Sequence, residues 1–367
     1  MSARRVVLLS PYALSIFGGV QEQVLAMSRE LSRRGHEVLV VCPDQSDHSD
    51  YDTPARVVRC GLLASVPANG SRAPVTLSLA ASRRAATEIA AFAPDVLHVH
   101  EPFAPVLPYS TIRRHATPTV ATFHRGGGGP AYSLTRPLLH RLARGLDVTV
   151  AVSPAAAATV SEGAGVECTV LFNGFETERF REMPKERGDV PVIFFVGRLE
   201  ERKGAGTLVD AARLAENAGE NWRVVIAGDG PQRSALTQAA VGLTHVEFLG
   251  RISDEDKRRW QRRADVCVAP SLRGESFGLV LLEAMASESR VVASDIDGYR
   301  DAAGGHAVLA APGDPTSLYA ALREAMSVDE DAVRRAREYA ERWSMRVLMD
   351  EYENLYDQAT LENQRAR

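Results

Sequence analysis

Three short stretches of this chain set charged groups and glycines where they could do chemistry. Val192–Val196 reads as a strand that runs out into Gly197-Arg198, with Glu201-Arg202-Lys203-Gly204 following before a helix. Arg198, Arg202 and Lys203 at a strand's carboxyl end are what a diphosphate needs when no metal neutralises it. A solvated loop is the plain alternative. Further on, Gly274-Glu275-Ser276-Phe277-Gly278-Leu279-Val280-Leu281-Leu282-Glu283 sets two carboxylates on one loop-to-helix segment. One could grip a ribose diol and the other a sugar hydroxyl, while Gly274 and Gly278 let backbone amides close on sugar or phosphate. Glu283 lies in an otherwise apolar run, where a carboxylate is costly unless a ligand or a structural partner satisfies it. Near the start, Phe17-Gly18-Gly19-Val20 leads from a strand into a helix, and the amides of such a turn can approach an anion. Paired glycines also make plain turns. Neither this turn nor Gly228-Asp229-Gly230 is a G-x-G-x-x-G or a G-x-x-x-x-G-K-[ST], which disfavours a dehydrogenase.

The elements that must position these residues alternate short β-branched runs with stretches of helical period, the pattern of α/β layers around parallel sheets. Strands are expected at Val6–Ser10, Glu37–Cys42, Asp95–His100, Thr119–Phe123, Val148–Val152 and Cys168–Phe172. A helix is expected over Val20–Arg34, with Val24, Leu25, Met27 and Leu31 on one face and Gly35 closing it. The cycle then restarts with Val190–Val196, Trp222–Ile226, Val246–Phe248, Val266–Ala269 and Arg290–Ala293. The polar stretch Glu176–Asp189 between the series reads as a linker. The expected fold is therefore α/β, two doubly wound domains in tandem that face each other across a cleft, since such sheets bind ligands beyond the carboxyl ends of their strands. The closing helices, including Trp343–Asp357, have no strand after them and are expected to pack back on the first domain.

Length and composition agree with two soluble domains. The chain has 367 residues, 45% of them hydrophobic and 25% charged, which excludes disordered, collagen-like and disulfide-scaffold classes. No apolar run approaches the ~20 residues needed to span a bilayer, and Val6-Val7-Leu8-Leu9 is too brief for a signal-peptide core. Cys42, Cys60, Cys168 and Cys267 lie far apart and read as reduced, mostly buried thiols of a cytosolic protein. A net charge of -4 argues against a general nucleic-acid binder. The balance is uneven: residues 1–180 hold 17 Arg, no Lys and 15 acidic residues, and the remainder is acidic. A mildly basic half would suit an anionic surface, and drift of solvated charge is the alternative.

The Glu275-x7-Glu283 pair, the Arg198/Lys203 pair and the Gly18-Gly19-Val20 turn resemble the retaining glycosyltransferases of family 4, over essentially the whole chain. Pro11-Tyr12, Gly35-His36-Glu37-Val38, Asn69-Gly70-Ser71, His98-Val99-His100-Glu101-Pro102 and Ala121-Thr122-Phe123-His124 are similar to its phosphatidylinositol α-mannosyltransferase branch. The resemblance implies the GT-B architecture, with residues 1–178 as the acceptor-binding Rossmann-like domain, 179–342 as the nucleotide-sugar domain and 343–367 as a helix returning to the first. It implies that Arg198 and Lys203, with Arg202 beside them, hold the diphosphate of GDP-mannose, and that Gly19 offers it a backbone amide. Glu283 would bind the ribose and Glu275 a mannose hydroxyl, within the stretch Ser276, Phe277, Gly278 and Leu279. Ile252, Ser253, Asp254 and Lys257 would lie by the base. His124 would sit near the anomeric carbon, and Tyr12, Gln21 and Asn69 would line the inositol site.

No metal or cofactor is required on this resemblance, with a divalent cation at most stimulatory. The implied partners are a nucleotide-sugar donor and a lipid acceptor at an anionic membrane surface, for a monomer peripheral on the cytoplasmic face of the plasma membrane. The sequence departs from the branch in places. Arg125-Gly126-Gly127-Gly128-Gly129-Pro130 stands where polar residues and a lysine are expected, Ala13-Leu14-Ser15 lacks an expected acid, and Pro74 replaces an acceptor-site arginine near Arg72. Val75–Phe92, with Leu77, Leu79, Arg83, Arg84, Ile89 and Phe92, reads either as a basic amphipathic membrane helix or as an ordinary helix packed on the sheet. Competing readings keep the fold with a UDP-sugar or another acceptor (a polyol, a glycolipid or a polysaccharide precursor), or make the chain a non-catalytic nucleotide-sugar-binding protein. The presence of Arg198, Lys203, Glu275 and Glu283 argues against the last.

Overall fold

A computed structural model describes all residues except 1, 17, 46–50, 62–63, 69–70, 113–115, 125–136, 138, 183–184, 186–187, 276–277 and 366–367. The chain divides into two compact units, Met1–Phe175 with Met345–Arg367, and Glu176–Ser344.

In the first unit the strands are β1 (Arg5–Leu9), β2 (Glu37–Cys42), β3 (Arg56–Arg59), β4 (Ala64–Ala68), β5 (Ser71–Val75), β6 (Val96–His100), β7 (Thr119–Phe123), β8 (Val148–Ala151) and β9 (Thr169–Val170). Seven of them form a parallel sheet in the order β3-β2-β1-β6-β7-β8-β9. Helices cover both faces, so β1, β6 and β7 are buried almost end to end, and a strand buried on both sides reads as an unbroken apolar run. The order reverses between β1 and β6, the switch point at which such sheets bind ligands.

The second unit repeats the plan with β10 (Val192–Val196), β11 (Arg223–Ala227), β12 (Val246–Gly250), β13 (Val266–Ala269), β14 (Arg290–Ser294) and β15 (Val308–Ala310). Their order is β12-β11-β10-β13-β14-β15, all parallel, with the reversal between β10 and β13.

The structure corrects several expectations. Antiparallel β4 and β5 and the edge strands β3 and β15 were not expected. Pro67 and Pro74 mask the hairpin, because proline deletes a ladder donor and is tolerated only in such peripheral strands. Asn69-Gly70 between them was the available hairpin signal. The stretch expected as a linker contains the helix Glu178–Arg181 within the second unit, anchored by buried Phe180. The opening helix runs Gly19–Arg33 and Gly35 lies just beyond it at φ +85°. The amphipathic segment forms the helix Leu79–Phe92, and its Ala81, Ala85 and Ile89 are buried in a core shared with β1, β2 and β6. Leu77, Leu79, Arg83 and Arg84 are exposed. No helix among the described residues is long and apolar enough to cross a membrane.

The closing helix spans Met345–Arg365, starting later than expected because Trp343 belongs to a preceding 3-10 turn. Its Met345, Leu348, Met349, Tyr352, Leu355 and Tyr356 complete the core formed by Val6, Leu8, Val24 and Met27. Arg34 pairs with Asp350 at 2.8 Å and with Glu353 at 3.2 Å, and His36 Nε2 meets Glu353 Oε1 at 2.9 Å. The helix is thus a wall of the first unit. Met349→Ala, at a fully buried position, should cost about 2–5 kcal/mol of unfolding free energy in urea titrations.

Candidate functional site

In the second unit the loops leaving β10 and β13 are held together. Leu272 donates its amide to the Arg202 carbonyl at 2.7 Å. Gly204, at φ +68°, ends the turn Glu201–Lys203, and a Cβ there would lie 1.8 Å from the Pro270 carbonyl oxygen. Only glycine permits both that backbone conformation and that approach. On the other side, a Cβ on Gly228 would lie 1.9 Å from the Gly197 carbonyl oxygen. Gly228-Asp229-Gly230 is therefore a packing surface for the cation loop, a role its sequence did not disclose.

Each of the three cations has a carboxylate partner. Arg198 pairs with Glu200 at 2.8 Å, Arg202 with Glu200 at 3.2 Å and with Glu275 at 3.0 Å, and Lys203 with Glu275 at 2.7 Å. Glu200 and Glu275 thus hold the three cations expected to meet a diphosphate, a pairing the sequence reading did not include. Arg198 remains largely exposed, while Lys203 and Glu275 are half-buried. Both bonds to Glu275 go to Oε1, which also accepts from Ser271 Oγ at 3.3 Å. Ser271 Oγ in turn meets the hydroxyl of buried Tyr299 at 2.8 Å. The carboxylate is thus oriented from one side, and Oε2 makes no bond with the described residues.

Glu283 lies on the helix Leu279–Ala286, buried as expected. Its charge is satisfied by the protein: Lys257 donates to Oε1 at 3.0 Å and Gln261 to Oε2 at 3.4 Å. A structural partner is thus present for the buried carboxylate. Asp254 pairs with Lys257 at 3.1 Å and with Arg258. Burial opposes the Lys257 charge, yet Glu283 and Asp254 outweigh it and raise the ammonium pKa well above its ordinary value. Ser253 caps the helix Asp254–Arg263 by accepting from the Asp256 amide at 3.0 Å, with half-buried Ile252 beside it. Gly278 is the N-cap and Leu279 the first residue of the Glu283 helix. Ser276 and Phe277 lie outside the described residues.

In the first unit the loops after β1, β6 and β7 leave the carboxyl edge beside the switch point. Gly19 is exposed and opens its helix with no side-chain cap on the amides. Tyr12 is half-buried. Gln21 is buried and donates to the Ala13 carbonyl at 3.3 Å, so it braces the turn. Asp44, from the end of β2, accepts from Ser15 N at 2.9 Å and Ser15 Oγ at 3.0 Å, placing an acid against the segment that lacks one of its own. Asn69 and Arg125 lie outside the described residues.

His124 follows β7. Its amide donates to Glu101 Oε1 at 2.6 Å, and its Nε2 lies 2.9 Å from His100 Nδ1. His98, two residues before His100 on β6 and hence on the same face, stacks on His100 at 4.5 Å. Its Nδ1 meets Tyr356 Oη at 2.9 Å and its Nε2 meets Thr122 Oγ1 at 2.8 Å. Tyr352 Oη lies 3.0 Å from the same threonine. The loop beyond β6 is strained: Glu101 and Val106 have φ of +47° and +67°, and a β-branched residue there is a true outlier of the kind that gathers at functional sites. In the sequence, His98, His100 and Glu101 carry only a resemblance and no role. The signal was two histidines alternating on an otherwise apolar central strand.

A family model described as Glycosyltransferase Family 4 matches residues 17–179, and one described as Glycosyl transferases group 1 matches residues 190–327. Phosphatidyl-myo-inositol mannosyltransferase of Mycobacterium leprae is 34% identical over 330 residues, covering 87% of this chain and 86% of that protein. The chain belongs to the family 4 glycosyltransferases. The protein of the same name from Mycolicibacterium smegmatis is 35% identical over 304 residues, 81% of this chain and 77% of that one. Among solved structures, a glycosyltransferase of Rickettsia africae matches with TM-score 0.74 at 16% identity, covering 98% of this chain and 99% of that one. Anabaena Alr3699/HepE, solved with UDP and glucose, matches with TM-score 0.71 at 18% identity, covering 96% and 99%. At such identities the likeness is one of fold, and the fold is GT-B.

Burial holds the three histidines of this glycosyltransferase neutral. Desolvation lowers the pKa of His98 and His124 to about 3 and that of His100 well below its ordinary value. In the unfolded chain they titrate near 6.5. Between these limits the unfolded state binds more protons, so stability is complete above about pH 6.5 and falls as pH drops toward 3. Urea titrations at stepped pH should show a loss on the order of 1 kcal/mol per pH unit for each histidine. His98→Gln should reduce that slope by one proton.

Proposed function

We propose that this glycosyltransferase moves mannose from GDP-mannose to phosphatidylinositol with retention of configuration. The observation that carries the reading is the Arg198, Arg202, Lys203 and Glu275 cluster at the carboxyl ends of β10 and β13. It offers fixed guanidinium and ammonium groups to a leaving diphosphate, and a carboxylate with one oxygen held and the other turned to hydroxyls. Preorganised charge of this kind favours a transition state in which negative charge builds on the departing group. Mannose as the sugar and phosphatidylinositol as the acceptor are supported by the names of relatives that match most of the chain.

The step balances without a protein nucleophile. The bond from the anomeric carbon to the phosphate oxygen breaks, and its electrons leave with the diphosphate. The acceptor hydroxyl oxygen bonds to the anomeric carbon on the same face, and its proton passes to a phosphate oxygen. Glu275 orients a mannose hydroxyl, Glu283 faces the ribose from beside Lys257, and Asp254 with Lys257 stands by the base. No resident metal is invoked. On the first unit, His124, Tyr12, Gln21 and Asn69 serve the acceptor, and exposed Leu77, Leu79, Arg83 and Arg84 rest on an anionic membrane at the cytoplasmic face.

A donor screen with phosphatidylinositol vesicles, read by mass spectrometry of the lipid, should give a mannosylated lipid from GDP-mannose and a slower or absent product from UDP-sugars. A UDP-sugar preference, or transfer only to soluble acceptors, would replace the donor or acceptor assignment. Lys203→Ala should lower kcat about 10²–10³-fold with the unfolding midpoint little changed. An unaltered rate would remove the diphosphate role.

A further inference from the structure

We infer that His100 is a positioning residue that fixes the tautomer of His124: its Nδ1 donates to His124 Nε2, so that His124 presents Nδ1–H as a hydrogen-bond donor to the reacting ligands and cannot act as their base. The inference deepens the proposed function and rests on its assignment of His124 to the acceptor side.

Neutral imidazoles carry one N–H each, so two arrangements preserve the 2.9 Å bond between His100 Nδ1 and His124 Nε2. In the first, His100 donates, its Nε2 is bare, and His124 Nδ1 carries a proton. In the second, His124 donates, its Nδ1 is bare, and His100 Nε2 carries the proton. Both outer nitrogens are buried and have no hydrogen-bond partner among the described residues. The arrangements therefore differ in which nitrogen becomes an orphan N–H.

His100 is 0% exposed on the central strand β6, with the His98 ring stacked on it. An N–H at its Nε2 would stay unsatisfied in every state of the reaction. His124 Nδ1 is covered in this state as well, but its residue is half-buried on the loop that leaves β7 at the carboxyl edge of the sheet, where a shift of the side chain can bring that N–H to water or to a ligand oxygen. Buried donors without partners are the rarest orphans in folded proteins, so the arrangement that lets a ligand satisfy the N–H is preferred. The bond between Glu101 and the His124 amide, and the stacking of the His100 and His124 rings at 5.1 Å, hold the ring in this pose. The pair is also no exit for a proton among the described residues, because His100 Nε2 has no partner there to pass it to.

The full-length protein labelled with ¹⁵N-histidine tests this without any substrate. The expected spectrum shows His124 protonated at Nδ1 and bare at Nε2; the reverse assignment overturns the inference. His100→Phe keeps the volume and the stacking but removes the bond. It should give a mixed His124 tautomer and a kcat lower by ~10- to 100-fold, with KM for GDP-mannose unchanged. His100→Asn, whose amide can donate from near the position of Nδ1, should restore both. A His100→Phe protein with the wild-type tautomer and rate overturns the inference, as does a His100→Asn protein as impaired as His100→Phe. If His100→Phe does not fold, the wild-type spectrum and His100→Asn decide. His124→Phe separates the two ideas: wild-type transfer by that variant would remove His124 from the acceptor side, while the spectrum still judges the pair.

Discussion

The second unit depends on one carboxylate oxygen. Glu275 Oε1 accepts from Arg202, Lys203 and Ser271, and so ties the loop after β10 to the loop after β13. These loops are neighbours because β10 and β13 are adjacent parallel strands at the reversal of the sheet. Ion pairs this open to water add little stability. Their consequence is geometric: long side chains that would otherwise sample many rotamers are held in one arrangement, as electrostatic catalysis requires.

The first unit solves a different problem. Three imidazoles packed ring on ring are too buried to carry charge, and neutral rings must be told which nitrogen bears the proton. Tyr352 and Tyr356 of the closing helix, with Thr122, satisfy His98, so the last segment of the chain supports the strand from which His100 reaches His124. The helix is therefore part of the unit's core and of its functional edge, although more than two hundred residues separate it from that strand.

Much of this was legible in the sequence because doubly wound sheets write themselves plainly. Strands covered on both faces leave continuous apolar runs, and β2, β7 and β13 occupy the residues expected of them. The misses lie at edges. β3, β15 and the β4–β5 hairpin carry arginine, proline or too few residues to show that pattern. The Glu178–Arg181 helix was hidden by its charge, since a single buried side chain, Phe180, anchors it.

The sequence by itself determined the layered α/β fold, the family, and the residue types gathered near the ends of the strands. Tertiary structure decided how those residues are partnered. It set Glu200 and Glu275 against the three cations, Lys257 and Gln261 against Glu283, the Pro270 carbonyl against Gly204, and His100 against His124. Periodicity records which face of an element is dry. It does not record which polar groups from distant elements must meet on that face, because such pairing is fixed only when the sheet order brings the loops together and burial leaves each charge or N–H few places to go.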